Sequence, residues 1–357
     1  MAEGRVTRPV GGRTKIAWGS PGASPEVELS TERLDVLIEH NEGDLTAVVQ
    51  AGMRLSDAQR AFARAGQRLA LDPPDAHARA TIGGLIATAD SGPLRHRYGG
   101  VRDLILAVQV ALPDGTVARA GSRVIKNVAG YDLAKLMCGA LGTLGVICEA
   151  IFRLHPEPAM TATVVGTTAD VSQLAASARR LARRPLELEA LDVRWDEHGG
   201  AVLAQSAGRA APKAAEAVMR ILGEAGLETE VVERDDELWE SQRARQRAAD
   251  ADRAVVRVSF PPAELERVLA VAPSAVARAG AGLAWILLED PDPEAIASIR
   301  ATLAPCACVL LDAPAPLREA VDPWGLEEGP ELALMERLKA RFDPDGVCNR
   351  GRFVGGV

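Results

Sequence analysis

Residues 78–100 read ARATIGGLIATADSGPLRHRYGG, the most informative stretch of the chain. Ala80-Thr81-Ile82-Gly83-Gly84 is followed by Ser91-Gly92 and then by Tyr98-Gly99-Gly100. Small residues and hydroxyls at this density let a backbone approach a phosphate closely, with its N–H groups turned to the anion. Glycine also serves ordinary turns, so one such run is weak on its own. Two further segments join it: Gly121-Ser122-Arg123-Val124-Ile125-Lys126-Asn127-Val128-Ala129-Gly130-Tyr131-Asp132, and Gly142-Thr143-Leu144-Gly145-Val146-Ile147. Three in this order form a specific signal.

Rival glycine motifs fit poorly. Gly139, Gly142 and Gly145 are spaced wrongly for a nicotinamide-binding turn, and an apolar strand follows them where a helix should. The chain has no G-x-x-x-x-G-K-[ST] loop.

Outward from the glycine runs, Leu45–Gly52 reads as a buried strand ending at glycine. Leu55–Ala65 reads as an amphipathic helix with Ser56 as its N-cap and Gly66 as its stop. Val101–Leu112 reads as one long apolar strand, turned by Pro113-Asp114-Gly115 into a hairpin with Thr116–Arg119. Leu144–Leu154 is another buried strand. Pro156 and Pro158 then mark a boundary, and shorter units follow. Strands are expected at 161–167, 189–194, 201–205, 228–233, 255–260, 283–289 and 307–311. Helices are expected at 171–182, 211–224, 236–248, 262–271, 293–303 and 332–341. This alternation predicts a compact α+β unit with helices on one sheet face, and no internal repeat stands out.

The 357 residues suit two domains, and 47% apolar with 25% charged residues is ordinary for a globular protein. Aromatics make up only 3%, so alanine, valine and leucine must fill most of the core. A formal charge of −8 argues against a nucleic-acid partner, which needs clustered Lys and Arg. Arg95-His96-Arg97 and Arg179-Arg180 read as local salt-bridge partners or solvated faces. Five cysteines, with no CxxC pair, read as small buried hydrophobes; no metal site is expected. No secretory signal or long apolar run is present, so the chain reads as cytoplasmic without a transmembrane segment.

The glycine segments resemble the FAD-binding domain of the vanillyl-alcohol-oxidase/PCMH flavoprotein superfamily, and within it the FAD-binding subunits of bacterial glycolate oxidases. Ala80–Gly84, Arg97-Tyr98-Gly99 with Val101-Arg102-Asp103, Val124–Lys135, Gly142–Ile147, Leu338–Pro344 and Asn349-Arg350-Gly351-Arg352 carry the likeness. It is firm over residues 45–158, thin over 159–325, and returns at the end of the chain. The resemblance implies an α+β fold with three parts. A two-part PCMH-type FAD-binding domain spans 1–157, and a smaller ferredoxin-like α+β cap spans 158–325. A C-terminal helix and tail, 326–357, pack back on the FAD domain.

The resemblance also implies a site for non-covalent FAD. Gly11, Gly12, Arg13, Thr14 and Lys15, with Gly19 close by, correspond to the first pyrophosphate loop. Thr81, Ile82, Gly83 and Gly84 correspond to the second, its amides facing the phosphates. Thr88, Ser91 and Gly92 border the flavin or ribityl chain, and Tyr98 belongs to the same set. Ile147 lies against the adenine end, a position equally explained as core. Lys126, Asn127, Tyr131 and Asp132 wrap close to the flavin; alternatively, Lys126 and Asp132 are ion partners that stabilise the fold.

The chain departs from that pattern twice. Relatives carry a further strand–helix unit before the first loop, whereas Met1 stands ten residues before Gly11. Either the start lies upstream or the first half is reduced. The paired histidines of hydroxy-acid oxidising relatives are also missing. Of His40, His77, His96, His155 and His198, only His77 and His96 fall near the second loop as candidate bases, and a loop histidine is ordinarily a surface residue. No catalytic residue is assigned.

Three functions stay open. The first is the FAD-binding subunit of a glycolate oxidase complex, acting on a small 2-hydroxy acid with a larger flavoprotein subunit and an iron–sulfur subunit. Peripheral membrane association would then come through the complex. The second is a stand-alone FAD-dependent dehydrogenase with Arg95, Arg97 or a cap arginine as its cationic group. The third is a flavin-free scaffold subunit.

Overall fold

The computed structural model describes residues 3–74, 78–122, 132–248, 250–326 and 329–357. Two large sheets organise them. The first is an antiparallel five-stranded sheet in the order Leu37–Asn41, Thr46–Gln50, Val146–Arg153, Ile105–Ala111, Val117–Gly121. Helix Leu55–Ala63 buries Leu55, Ala58 and Phe62, and helix Ile82–Thr88 buries Ile82, Leu85 and Ile86. Both belong to the core that includes Val49, Val108 and Phe152 of the sheet. Beside this sheet, Thr7–Val10 pairs in parallel with Val27–Ser30. The chain's end returns to that pair: Thr7 N donates to Val347 O at 2.8 Å, and Asn349 N to Thr7 O at 2.9 Å.

Two local expectations are corrected. Helix Leu55–Ala63 is flanked by Arg54 without a side-chain cap, and Ser56 lies inside its first turn. The expected strand over 101–112 begins only at Ile105, because Val101–Leu104 forms a helical turn. The Asp103 carboxylate accepts from Gly100 N at 2.8 Å and so closes that turn. An apolar run cannot by itself distinguish a strand from a buried turn followed by a strand.

The second sheet has eight antiparallel strands. It divides into two βαββαβ units. The first comprises Thr161–Thr168, helix Val171–Ala182, Leu188–Asp196, Gly199–Ala207, helix Ala211–Glu224 and Glu228–Val232. The second comprises Ala254–Ser259, helix Leu265–Ala270, Ser274–Arg278, Leu283–Leu288, helix Pro293–Leu303 and Ala307–Asp312. Within each unit the spatial order is fourth, first, third, second strand, the ferredoxin-like arrangement. The units join edge to edge through their second strands, with Val193 opposite Ala277. The repeat lies in the topology and not in residue identities. Strand Ser274–Arg278, short and alanine-containing, was not expected, and helix Asp236–Ala244 stops before the expected residue 248.

The helices of both units share one core with the sheet, through Leu174, Leu181, Val218, Leu222, Val268 and Leu303. Its other face carries Val255, Val276, Trp285, Val309 and Leu311, packed with Trp18 from the segment after the first glycine run. This second face meets the N-terminal half of the molecule. Among the described residues, no helix is long and apolar enough to cross a membrane.

Candidate functional site

A cleft opens where the strand Thr7–Val10 runs into Gly11–Lys15. Its other wall is Thr81, Gly84, Leu85, Ala87 and Thr88 of the second glycine run, with Leu141, Asn349 and Arg352 at the rim. The two loops touch through backbone. A Cβ on Gly11 would stand 2.3 Å from Thr81 Oγ1, and one on Gly12 would stand 1.6 Å from Arg79 O. Only glycine permits that approach.

Among the described residues, the amides of Gly11, Gly12, Arg13 and Thr14 donate to no acceptor in the chain. Consecutive unpaired N–H groups beside a cleft form an anion nest. The second loop differs. Ile82 N donates to Met53 O at 2.9 Å, Gly83 N to Ala51 O at 2.7 Å, and Gly84 N to Thr81 Oγ1 at 3.3 Å. The expectation that these amides face the phosphates is therefore corrected: they hold the loop to the neighbouring turn and cap the helix. The second loop supplies a smooth wall instead. A Cβ on Gly84 would meet only Thr81 Oγ1, at 3.1 Å.

The cations of the first loop also point elsewhere. Lys15 is buried and pairs with Asp90 at 3.1 Å. Arg13 pairs with Glu28 at 2.6 Å on the surface. Arg352 is the cation left on the cleft's rim. It is buried, donates to Ile16 O and Pro21 O, and burial with Arg8 and Arg318 nearby lowers its pKa to about 10.

The remaining sequence candidates are dispersed. Gly19 lies against Arg352 O, where an added Cβ would come within 2.5 Å. Ser91 is buried, and Gly92 packs on Asp72, so both stand beyond the cleft. Thr88 Oγ1 donates back to Gly84 O at 2.9 Å. Tyr98 is remote from the cleft: its hydroxyl donates to Glu189 of the second sheet at 2.7 Å, in a cluster with Arg68 and Arg97. Ile147 is buried in the core of the five-stranded sheet. Asp132 pairs with Lys135 at 2.9 Å. Lys126, Asn127, Tyr131 and His77 lie outside the described residues.

A second polar cluster escaped the sequence reading. Asp192, Arg257 and Arg278 stand on strands of the eight-stranded sheet, and Gln242 and Gln246 on and just after helix Asp236–Ala244. Asp192, Gln242, Gln246 and Arg278 are buried, and Arg278 is fully inaccessible. Among the described residues, no guanidinium nitrogen of Arg278 finds a hydrogen-bond acceptor, nor does either amide atom of Gln246 find a partner. Arg257 Nε, Asp192 Oδ1 and Gln242 Oε1 are equally without one. Leaving such groups unpaired costs about 1–3 kcal/mol each, and more for charged ones. So many orphans in one place mark a site built for a polar occupant.

Charge gives the sign of that occupant. Arg257 and Arg278 sense Asp90 and Arg95, and Arg278 also senses Asp72 and Asp192. Arg243 stands 3.8 Å from Asp72, and Lys15 pairs with Asp90. Five cations thus face three carboxylates, which favours an anion. Burial raises Asp72 to about 7 and Asp192 to about 6, and lowers Arg257 and Arg278. The available signal was a single charged residue inside the apolar strands AVVRVS and SAVAR. Lys15 and Asp90 bridge this cluster to the cleft.

Residues 2–121 match the family described as FAD binding domain, and residues 323–353 match FAD linked oxidases, C-terminal domain. An uncharacterized FAD-linked oxidoreductase of Mycobacterium tuberculosis is 28% identical over 386 residues, covering 94% of this chain and 84% of that protein. The glycolate oxidase subunit GlcE of Escherichia coli is 34% identical over 148 residues, 42% of either chain. A solved structure of alkyldihydroxyacetonephosphate synthase superposes with a TM-score of 0.71 at 16% identity, covering 96% of this chain and 72% of that one. That similarity establishes the mixed α+β, PCMH-type fold.

Proposed function

We propose, for a chain that carries the FAD-binding and C-terminal domains of the FAD-linked oxidases, an FAD-dependent oxidoreductase that oxidises a small 2-hydroxy acid such as glycolate. The four unpaired amides of Gly11–Thr14 fit the pyrophosphate of FAD, with Gly84 and Thr88 as the opposing wall and Arg352 as a nearby cation. When bound, FAD supplies a two-electron acceptor for hydride. The chain's own residues fix it, exclude water and hold the substrate. The observation that carries the reading is Arg278: a fully buried guanidinium without an acceptor, on the sheet face turned to the FAD half. A carboxylate would satisfy it with paired, charge-assisted hydrogen bonds, with Arg257 adding a second cation.

A second reading keeps the same chemistry and adds partners. Similarity to GlcE supports a role as the FAD-binding subunit of a glycolate oxidase complex, beside a larger flavoprotein subunit and an iron–sulfur subunit. One preparation tests both. The purified chain is expected to show a flavin absorption spectrum, to release FAD on denaturation if the cofactor is non-covalent, and to bleach anaerobically with glycolate. Flavin that bleaches only after the larger subunit is added favours the complex. A folded, colourless chain that takes up no FAD would overturn both in favour of a scaffold.

A further inference from the structure

We propose that Asp192 is the catalytic base of this chain, accepting the hydroxyl proton of a 2-hydroxy acid whose carboxylate is held by Arg278. The inference rests on the oxidoreductase reading above.

The first argument is placement. In a 2-hydroxy acid the hydroxyl and the carboxylate sit on neighbouring carbons, so the proton acceptor must stand beside the carboxylate's partner. Asp192 Oδ1 lies 3.7 Å from Arg278 Nε. The two residues face each other across the seam of the βαββαβ units, one step from the Val193–Ala277 pair.

The second argument is availability. Gln242 Nε2 donates to Asp192 Oδ2 at 3.3 Å and orients the carboxylate, while Oδ1 has no hydrogen-bond partner among the described residues. The other acids of the cluster have closer partners: Asp90 Oδ2, also without a hydrogen bond among the described residues, stands 3.1 Å from Lys15 Nζ, and Asp72 Oδ1 accepts from Leu94 N at 3.1 Å. Of the described histidines, His40 bonds Gln67, His155 packs on Tyr98 and His198 is exposed beside Glu197. His96, the candidate from the sequence, packs near Gly280, and burial lowers its pKa.

The third argument is chemical. Burial lifts the Asp192 carboxyl to about 6 while Arg278 pulls it down. A substrate carboxylate on Arg278 weakens that pull and makes Asp192 the stronger base. The step then balances. The hydroxyl proton passes to Asp192 Oδ1, and the O–H electron pair becomes the second carbon–oxygen bond. The Cα–H pair would leave with its hydrogen as hydride, for which bound FAD would supply the two-electron acceptor, and the acid would become the 2-oxo acid.

The test uses the FAD-loaded chain, with oxalate as an unreactive probe and glycolate and D-lactate as substrates. Wild type is expected to give a flavin difference spectrum with oxalate and to bleach with a substrate. Asp192→Asn should keep oxalate affinity within about threefold yet bleach about 10²–10⁴ times more slowly. Asp192→Glu should recover part of the rate, which a packing role would not predict. Arg278→Met should lose the oxalate spectrum while keeping FAD, and this arm tests the carboxylate site independently of Asp192. Asp192→Asn bleaching at the wild-type rate overturns the base while leaving the oxidoreductase reading intact. Wild type that binds FAD but gives neither oxalate spectrum nor bleaching overturns both. If Asp192→Asn does not retain FAD, Asp192→Glu decides: slowed bleaching at unchanged oxalate affinity supports the base, and an unchanged rate overturns it.

Discussion

Arg247 is held by Asp312 at 2.6 Å, and from that anchor its guanidinium donates to the carbonyl of Thr14 at 3.1 Å. Asp312 ends the last strand of the second βαββαβ unit, whereas Thr14 belongs to the first glycine loop. The same carboxylate accepts from Trp18 Nε1 at 2.9 Å and from Ala248 N at 3.2 Å. One acid of the second sheet therefore sets the shape of the loop whose amides are unpaired. The second sheet and the first glycine loop are thus tied together through Asp312 and Arg247.

Asp312→Asn should weaken FAD binding by about tenfold or more, since charge-assisted hydrogen bonds contribute about 1.5–3 kcal/mol each. Quenching of flavin fluorescence on titration with the apo chain gives the affinity. Unchanged affinity in a folded variant would show that the loop holds its shape without the cap.

Gly84→Asp should abolish flavin retention without unfolding the chain. An added Cβ meets only Thr81 Oγ1, at 3.1 Å, so a small shift of that side chain makes room, and the substitution puts a negative charge on the wall of the cleft. Visible absorbance per folded chain, with circular dichroism as the folding control, reads the result. A yellow Gly84→Asp protein would move the pyrophosphate away from this wall.

Tyr98→Phe should leave FAD affinity within about twofold and lower the thermal midpoint. The lost hydroxyl bonds Glu189, which also pairs with Arg68, so the substitution loosens the joint between the halves and not the cleft. A loss of about 1 kcal/mol is expected for one such bond. Thermal unfolding and FAD titration together separate the outcomes; a large fall in affinity would return Tyr98 to the cofactor.

The pH dependence of stability should carry the mark of Asp72. Its carboxyl titrates near 7 in the folded chain, above the ordinary 3.8, because it is desolvated. A raised carboxyl pKa means that the folded state holds the proton more tightly. Its contribution is fully present below about 3.8 and lost as pH rises through about 7. Asp192, near 6, acts in the same direction. Thermal midpoints between pH 5 and 8 should therefore fall more steeply in wild type than in Asp72→Asn. Parallel curves would mean that Asp72 stays ionised throughout.

Much of the fold was legible in the chain because its signals are local. Phe62 and Ala58 recur at helical spacing toward one core, and the Asp114-Gly115 turn closes the hairpin with the strand from Val117. The helix Val171–Ala182 was readable to the residue, and Asp170 caps it through Ser172 N and Gln173 N. The Val101–Leu104 turn was not, because its cause is one carboxylate reaching back to Gly100 N inside an apolar run.

The site divides in the same way. The glycine runs that hold Gly11, Gly12 and Gly84 were visible in the sequence, since small residues clustered in runs leave a pattern along the chain. Which amides stay unpaired depends on how the chain packs. Those of 82–84 are consumed by Met53, Ala51 and Thr81, while those of 11–14 are left free. Packing alone brought Asp192 to Arg278, from strands separated by seven other elements among the described residues. The physical reason is range. Turn, cap and periodicity act over a few residues, whereas desolvation and ion pairing depend on which surfaces the sheet closes against each other, and no local pattern encodes that.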